Sequence, residues 1–346
     1  MGHLEDRFAG ILLGGALGDT LGLPVEGLGP ERIKKWHGGL WRQRFIAGRG
    51  MISDDTEHTL MVAQCLLMNP KTEQVFAQQL AWKLRFWLLA LPAGVGFATA
   101  VGILRLLLGF PLHKSGIFSA GNGPAMRAAV IGAYWRDDPE KMVRFVIAGT
   151  RLTHTDPKAI TAALAVARLT AWAMAEEPDL ARIWGILDDC ATRQDLEWAD
   201  LCRRMRQLLE EGRSLAEFCA AIGITNGVSG YAYQTVPVAI YAFLHHFGNF
   251  EDTLRAVLDR GGDTDTTAAI AGNLAGAVTG GRALPQHWLK PVSDWPRGVP
   301  LLRLVAKCLA NRSGRVRYFW PGILLRNIFF LVIVLCHGFR RLAPPY

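Results

Sequence analysis

The chain has 346 residues, half of them hydrophobic, which is enough for one large domain or two small ones around a sizeable core. Against 30 acidic residues stand 38 Lys and Arg, a net charge of +8. The excess is dispersed and lacks the basic stripe with interleaved aromatics of a dedicated nucleic-acid binder, so it suits an anionic small molecule or a nucleotide-like ligand. The six cysteines (Cys65, Cys190, Cys202, Cys219, Cys308 and Cys336) are scattered without a C-x-x-C pair. That argues against a disulfide framework or zinc ribbon and fits a reducing cytosol. The opening Met1-Gly2-His3-Leu4-Glu5-Asp6-Arg7 has no secretory-signal pattern.

In chain order, apolar residues at three- and four-residue spacing predict helices over 57–68, 73–91, 124–135, 139–149, 157–176, 199–211, 236–247, 251–259 and 266–280. Asp138-Pro139, Asp156-Pro157 and Asn249 mark three of the starts. Alternating β-branched runs are scarce, and neither an internal repeat nor a low-complexity linker interrupts the pattern. The expectation is an all-α protein, with one compact multi-helix domain over 1–310 and a hydrophobic C-terminal extension over 311–346.

Two apolar stretches invite comparison with a membrane span. Phe86 to Leu104 has no acid or base except at its neighbours, but Pro92, Gly94 and Gly96 break it, so two buried helices joined by a turn are expected. In the tail, Ile328 to Cys336 is continuously apolar but too short to span. Extending it back to Tyr318 buries Arg326, which is costly. Basic residues flank both ends (Arg312, Arg315, Arg317; Arg340, Arg341), so charge gives no orientation. The expected location is cytoplasmic, with membrane or partner contact through residues 318–340 left open.

The unusual residues sit in loops before helices. Ser53-Asp54-Asp55-Thr56 alone reads as a helix cap, since acids and hydroxyls are favoured there. Gly262-Asp263-Thr264-Asp265-Thr266 has the same character some two hundred residues later. A cap needs one acid. Four carboxylates converging would repel unless cations lay between them, and hard oxygen donors select Mg²⁺, Mn²⁺ or Ca²⁺ over Zn²⁺ or Cu²⁺. A dinuclear metal site at two helix N-termini is the natural arrangement. Gly121-Asn122-Gly123 is by itself an ordinary turn, His154 a lone histidine, and Tyr231 as readily a core tyrosine as a stacking ring.

Taken in order, Gly14-Gly15-Ala16-Leu17-Gly18-Asp19 with Glu26, Ser53-Asp54-Asp55-Thr56, Gly121-Asn122-Gly123-Pro124-Ala125-Met126-Arg127, Thr153-His154-Thr155-Asp156-Pro157, Gly230-Tyr231 leading to Pro237, and Gly262-Asp263-Thr264-Asp265-Thr266 make the chain resemble the ADP-ribosylglycohydrolase family from Gly10 to about Gly281. The dinitrogenase-reductase-activating glycohydrolases of bacteria belong to that family. The resemblance implies two Mg²⁺ or Mn²⁺ ions held by Ser53, Asp54, Asp55, Asp263, Asp265 and Thr266. Ser53 stands where many relatives have Thr. It assigns Glu26, Asp55 and Asp265 to catalysis, and Ser119, Gly121, Asn122, Gly123, Met126, His154 and Tyr231 to the ADP-ribose pocket. Arg127 is expected on the surface or behind the pocket, and Asp19 at a helix end or behind the metal ligands.

The implied reaction is metal-dependent hydrolysis of the bond between ADP-ribose and a protein side chain through an oxocarbenium-like transition state. Arginine-linked ADP-ribose is the leading substrate, with serine-linked or O-acyl ADP-ribose next. The alternatives are a metal-dependent phosphohydrolase, disfavoured because no Lys/Arg cluster adjoins either acid motif, and a non-catalytic ADP-ribose-binding or toxin-immunity protein. The expected partner is an ADP-ribosylated protein or an ADP-ribose conjugate.

Overall fold

Side-chain caps set many of the helix borders. Thr72, Asp138, Asp156, Asp195 and Asn249 each accept a hydrogen bond from the first turn of the helix that follows. In the computed structural model, which describes residues 2–192, 194–317 and 319–340, the regular elements are all helices. Among the described residues the only extended pairings are isolated bridges. The all-α expectation therefore holds.

Most predicted segments appear within a few residues of their expected ends, for example Asp54–Leu67, Glu73–Leu89 and Thr264–Thr279. Two differ for a physical reason. The segment 124–135 splits into Gly123–Met126 and Ala129–Tyr134, because the Arg127 guanidinium between them turns inward to the Gly149 carbonyl and Thr153. Pro237 lies inside Ala232–His245 and not at its start. The helix begins earlier because the backbone at Tyr231–Ala232 pairs with Ala120 and Gly121.

One helix has no periodic signal at all. His3–Gly22 is buried from Phe8 onward on every side, so a polar face never marks it. It is long and apolar enough to cross a membrane, but 94% of its most apolar 18-residue window is buried in the fold. It packs along Thr264–Thr279 at backbone contact. Gly10, Gly14 and Gly18 recur every four residues on one face, and a Cβ at these positions would lie 2.0, 2.3 and 2.0 Å from the carbonyl oxygens of Gly276, Gly272 and Ala268. Gly18→Ala gains about 1 kcal/mol of helix propensity but forces the helices apart, for an expected net loss of about 2 kcal/mol. Urea unfolding reads this directly, and an unchanged or raised midpoint would contradict the seam.

The seam places function. It sets the end of His3–Gly22 against the start of Thr264–Thr279, where a Cβ at Gly22 would lie 2.5 Å from the Asp265 Cα. The start of Asp54–Leu67 joins them through Asp19.

The extension forms a helix, Trp320–Arg340, docked on the body of the protein. Its inner face buries Ile323, Arg326, Asn327, Phe330 and Ile333. Tyr318 and residues 341–346, including Arg341, lie outside the described residues. The stretch from Phe86 to Leu104 does form two helix ends, Glu73–Leu89 and Phe97–Leu107, with a loop at Ala90–Gly96. They are not fully buried as expected: Phe86, Leu89, Leu91, Phe97 and Leu104 are all exposed.

Candidate active site

The capping question resolves at Asp19. Its buried carboxylate accepts from the backbone amide of Ser53 at 2.9–3.0 Å and from the amide and hydroxyl of Thr56. An acid from the end of another helix thus caps Asp54–Leu67, and Ser53 adds a weak 3.4 Å contact to the Asp55 amide. Asp54 and Asp55 are left with no capping work. Asp263 stands at the cap position of Thr264–Thr279 and makes no side-chain cap bond. The acids are in surplus of what either helix start requires.

The two clusters meet. The Thr266 hydroxyl donates to Asp55 Oδ2 at 3.2 Å across 211 residues of sequence. The other Asp55 oxygen, Oδ1, is buried with no hydrogen-bond partner, an arrangement costly for a carboxylate unless something else satisfies it. Burial and mutual repulsion push Asp54, Asp55 and Asp265 well above the ordinary carboxylate value. After burial, Asp54 feels Asp19, Glu57 and Glu26; Asp55 feels Asp54, Asp19 and Asp263; Asp265 feels Glu26, Asp263 and Asp55. Burial also pushes Asp19 up to about 6, against the opposing pull of its bonds to Thr56 and Ser53. Without cations these carboxyls hold their protons more tightly than ordinary ones, the direction expected for like charges forced together.

Among the described residues, no three His, Cys, Asp or Glu side chains already close on a single point. The acids converge around a space, and the hydroxyls of Ser53 and Thr266 complete a donor set composed wholly of hard oxygens. The unsatisfied Asp55 oxygen and that donor chemistry fit divalent cations of the Mg²⁺ type.

A cavity of about 350 Å³ opens over the acids, within the range of small-molecule sites. It is lined by Glu26, Ser53, Asp54, Ser119, Gly121, Asn122, Gly123, Met126, His154, Asp263, Asp265 and Thr266. These twelve sequence-predicted residues come from five separate segments. Two predicted residues stand elsewhere. Asp55 lies behind the cavity, against Leu12, Gly15 and Ala16. Tyr231 does not line the cavity; its hydroxyl donates to Glu197 at 2.7 Å and accepts from Lys158 at 2.8 Å.

Glycine geometry draws the loops together. Gly262 has φ +80°, and a Cβ there would lie 2.0 Å from the Val228 carbonyl oxygen. Its amide donates to Leu28 and its carbonyl accepts from Gly27, so the second acid cluster is stitched to the loop that carries Glu26. Glu26 is exposed at the mouth, close enough to raise both Asp54 and Asp265.

Opposite the acids, Asn122 Nδ2 donates to Asp263 Oδ2 at 2.6 Å. The Asn122 amide is taken by the Gly230 carbonyl. Of the three backbone amides of the Gly121-Asn122-Gly123 turn, those of Gly121 and Gly123 remain, the former shared with Ser119 Oγ at 3.3 Å. His154 closes this side: a Cβ on Gly121 would lie 2.9 Å from its Nε2. Its Nδ1 pairs with Thr153 Oγ1 at 2.9 Å, and the same hydroxyl accepts from Arg127. Burial, then the Arg127 charge, pushes His154 down to about 3, so it meets a ligand as a neutral ring. Arg127 is buried and holds this network from behind; it is not a surface residue.

Sequence reasoning missed the apolar wall. Leu23, Ala93, Phe330 and Val334 line the cavity, the last two from the C-terminal helix. No motif marks them, and only the Pro92-Ala93-Gly94 break hinted at a functional loop. The helix is held by Arg326, which reaches Glu57 at 3.1 Å and Asp294 at 2.5 Å, and by the Asn327 amide on the Ala90 carbonyl. Glu57, one turn beyond Asp54, also pairs with buried Arg297 and accepts from Trp87.

The family model for ADP-ribosylglycohydrolase matches residues 2–317. An uncharacterized protein of Archaeoglobus fulgidus is 30% identical over 298 residues, covering 84% of this chain and 93% of that protein. The ADP-ribosyl-[dinitrogen reductase] glycohydrolase of Rhodospirillum rubrum is 28% identical, covering 83% and 90%. The ADP-ribosylhydrolase ARH3 of Gallus gallus is 27% identical, covering 82% and 88%. Among solved structures, an ADP-ribosylglycohydrolase-related protein complex superposes with a TM-score of 0.63 at 26% identity, covering 91% of this chain and all of that one.

Proposed function

Since the chain belongs to the ADP-ribosylglycohydrolase family, and is therefore a hydrolase of ADP-ribose conjugates, we propose that it removes ADP-ribose from protein side chains in a divalent-metal-dependent reaction, with the arginine linkage preferred. The observation that carries this reading is the meeting of the two acid-hydroxyl clusters, joined by Thr266 and Asp55, under one cavity shared with the Ser119–Gly123 loop. Two Mg²⁺ or Mn²⁺ ions held by Ser53, Asp54, Asp55, Asp263, Asp265 and Thr266 would supply Lewis acidity and a water of lowered pKa.

The chain's own residues supply the rest. Gly121 and Gly123 present backbone amides to the diphosphate, while Ser119, Asn122, Met126 and neutral His154 shape that side of the cavity. Glu26 at the mouth and Asp265 beneath handle protons, because both carboxyls border the cavity and their environments differ: one exposed, one buried among other acids. Asp55, behind the cavity, acts through its unsatisfied oxygen. Leu23, Phe330 and Val334 keep one wall dry, which strengthens the electrostatic interactions within. Six free cysteines, four of them buried, support a cytoplasmic setting for the reaction.

The named relatives divide between a dinitrogen-reductase glycohydrolase and ADP-ribosylhydrolases, so serine-linked or O-acyl ADP-ribose is the second reading. Release of ADP-ribose from matched arginine-, serine- and O-acyl-linked conjugates separates them. The arginine conjugate is expected to turn over at least about tenfold faster in kcat/KM, the discrimination a few placed polar contacts supply. A faster serine or O-acyl conjugate would move the assignment to the second reading. Tight binding of ADP-ribose with no turnover on any linkage would reduce the protein to a binding module.

A further inference from the structure

The C-terminal helix is apolar on two faces, and only one is covered. On the outer face Leu325, Ile328, Phe329, Val332, Leu335 and Phe339 are between 49% and 70% exposed. Their spacing of three and four residues places them in one stripe, about 21 Å long at 1.5 Å per residue. Phe319 and Trp295, also exposed and in ring contact, continue it at the helix start. An exposed ridge of this size and continuity calls for a partner.

The rim of the ridge is basic. Arg49 adjoins Leu325 and Phe329 in one hollow. Arg317, exposed just ahead of the helix, adjoins exposed Phe86 in a second. Arg42 and Arg44 adjoin Arg340 in a third. Among the residues lining these three hollows the only acid is Asp294, and it is already paired with Arg326. An apolar ridge inside a ring of cations matches the interface of a bilayer bearing anionic headgroups.

Two other dispositions fit less well. A spanning helix would have to pull Arg326 from Glu57 and Asp294 and Asn327 from Ala90, stranding buried Asp294 and leaving Glu57 with Arg297 alone. A second copy docking ridge to ridge would set two rings of arginine against each other. We propose that the chain binds anionic membrane surfaces in plane through the outer face of Trp320–Arg340. The inner face of the same helix supplies Phe330 and Val334 to the cavity, so the site would lie about one helix diameter, ~10 Å, above the lipid.

The test is co-sedimentation of the full chain with vesicles of phosphatidylcholine, with and without phosphatidylserine, at low and high salt. The expected result is retention on the phosphatidylserine vesicles, at least about tenfold stronger than on phosphatidylcholine alone and weakened by salt. A Phe329→Ser, Val332→Ser variant should lose at least about tenfold in vesicle affinity while turning over a soluble conjugate as before. Arg49→Glu with Arg317→Glu leaves the ridge intact and should lose the phosphatidylserine preference, so a folding defect in the first variant does not decide the matter. Absence of vesicle binding, or binding indifferent to both variants, overturns the proposal. Concentration-dependent self-association abolished by Phe329→Ser, without vesicle binding, overturns it in favour of a dimer seam. None of these readouts depends on which linkage the enzyme cleaves.

Discussion

Asp54→Asn and Asp263→Asn are each expected to lower turnover on the order of 10³-fold, the equivalent of the several kcal/mol that a metal ligand contributes to transition-state stabilisation. What separates this from simple damage is the opposite effect on stability without metal. Asp54 is held well above its ordinary value of 3.8 by burial and by Asp19, Glu57 and Glu26. A carboxyl raised in the folded state contributes stability while protonated, and that contribution is lost as pH rises from the unfolded value through the folded one. At neutral pH the metal-free wild type therefore carries the cost of ionising a crowded acid, whereas the amide carries none. Metal-free Asp54→Asn should unfold at a higher urea concentration than metal-free wild type at pH 7, with the gap closing as pH falls toward 4. A variant that is both inactive and less stable at pH 7 would mean that Asp54 is a structural acid.

Arg326→Ala is expected to cost about 3–5 kcal/mol, the largest stability effect of any single change considered. The side chain is almost wholly buried and serves two acids at once: Asp294 through Nε and Nη2, and Glu57 through Nη1. It also donates to the Ile52 carbonyl, in the strand of chain just before Ser53. Glu57 retains Arg297, but Asp294 loses the guanidinium it is paired with. Burial already pushes Asp294 above the ordinary carboxylate range despite Arg326. Without the guanidinium, Asp294 is left an unpaired buried acid, and Phe330 and Val334 lose the anchor that holds them in the cavity wall. Urea unfolding gives the first effect and KM the second. A loss below about 1 kcal/mol would place the pair among surface ion pairs of little weight.

The architecture and most of the site were legible because the signals were local. Either acid cluster alone reads as a helix cap, but the two together exceed what capping needs, and that surplus picks out Asp54, Asp55, Asp263 and Asp265. What was hidden depends on partners far away in sequence. Asp19 gives no sign of its capping role, since the Ser53 amide it holds lies 34 residues later, at the start of another helix. The glycines of His3–Gly22 were visible as a motif, but their four-residue period becomes a packing seam only when Gly272 and Gly276 are set against them. The tail is the clearest case. Arg326 in an apolar run was an obstacle to a membrane span; in the fold it is the anchor of the helix, and the hydrophobic neighbours divide between a cavity wall and an exposed ridge. Tyr231 shows the reverse limit: a loop tyrosine suits a stacking role and a bond to Lys158 and Glu197 equally well, and sequence has no means to separate them.

The central claim is that the two acid clusters act as one cation-holding site for ADP-ribose hydrolysis. The most direct measurement is the rate of ADP-ribose release from an arginine-linked conjugate in excess EDTA, followed by titration with Mg²⁺ or Mn²⁺. The expected result is release lowered on the order of 10³-fold in EDTA and restored by either cation in the wild type, but not in Asp54→Asn or Asp263→Asn. Release that continues unchanged in EDTA would contradict the claim.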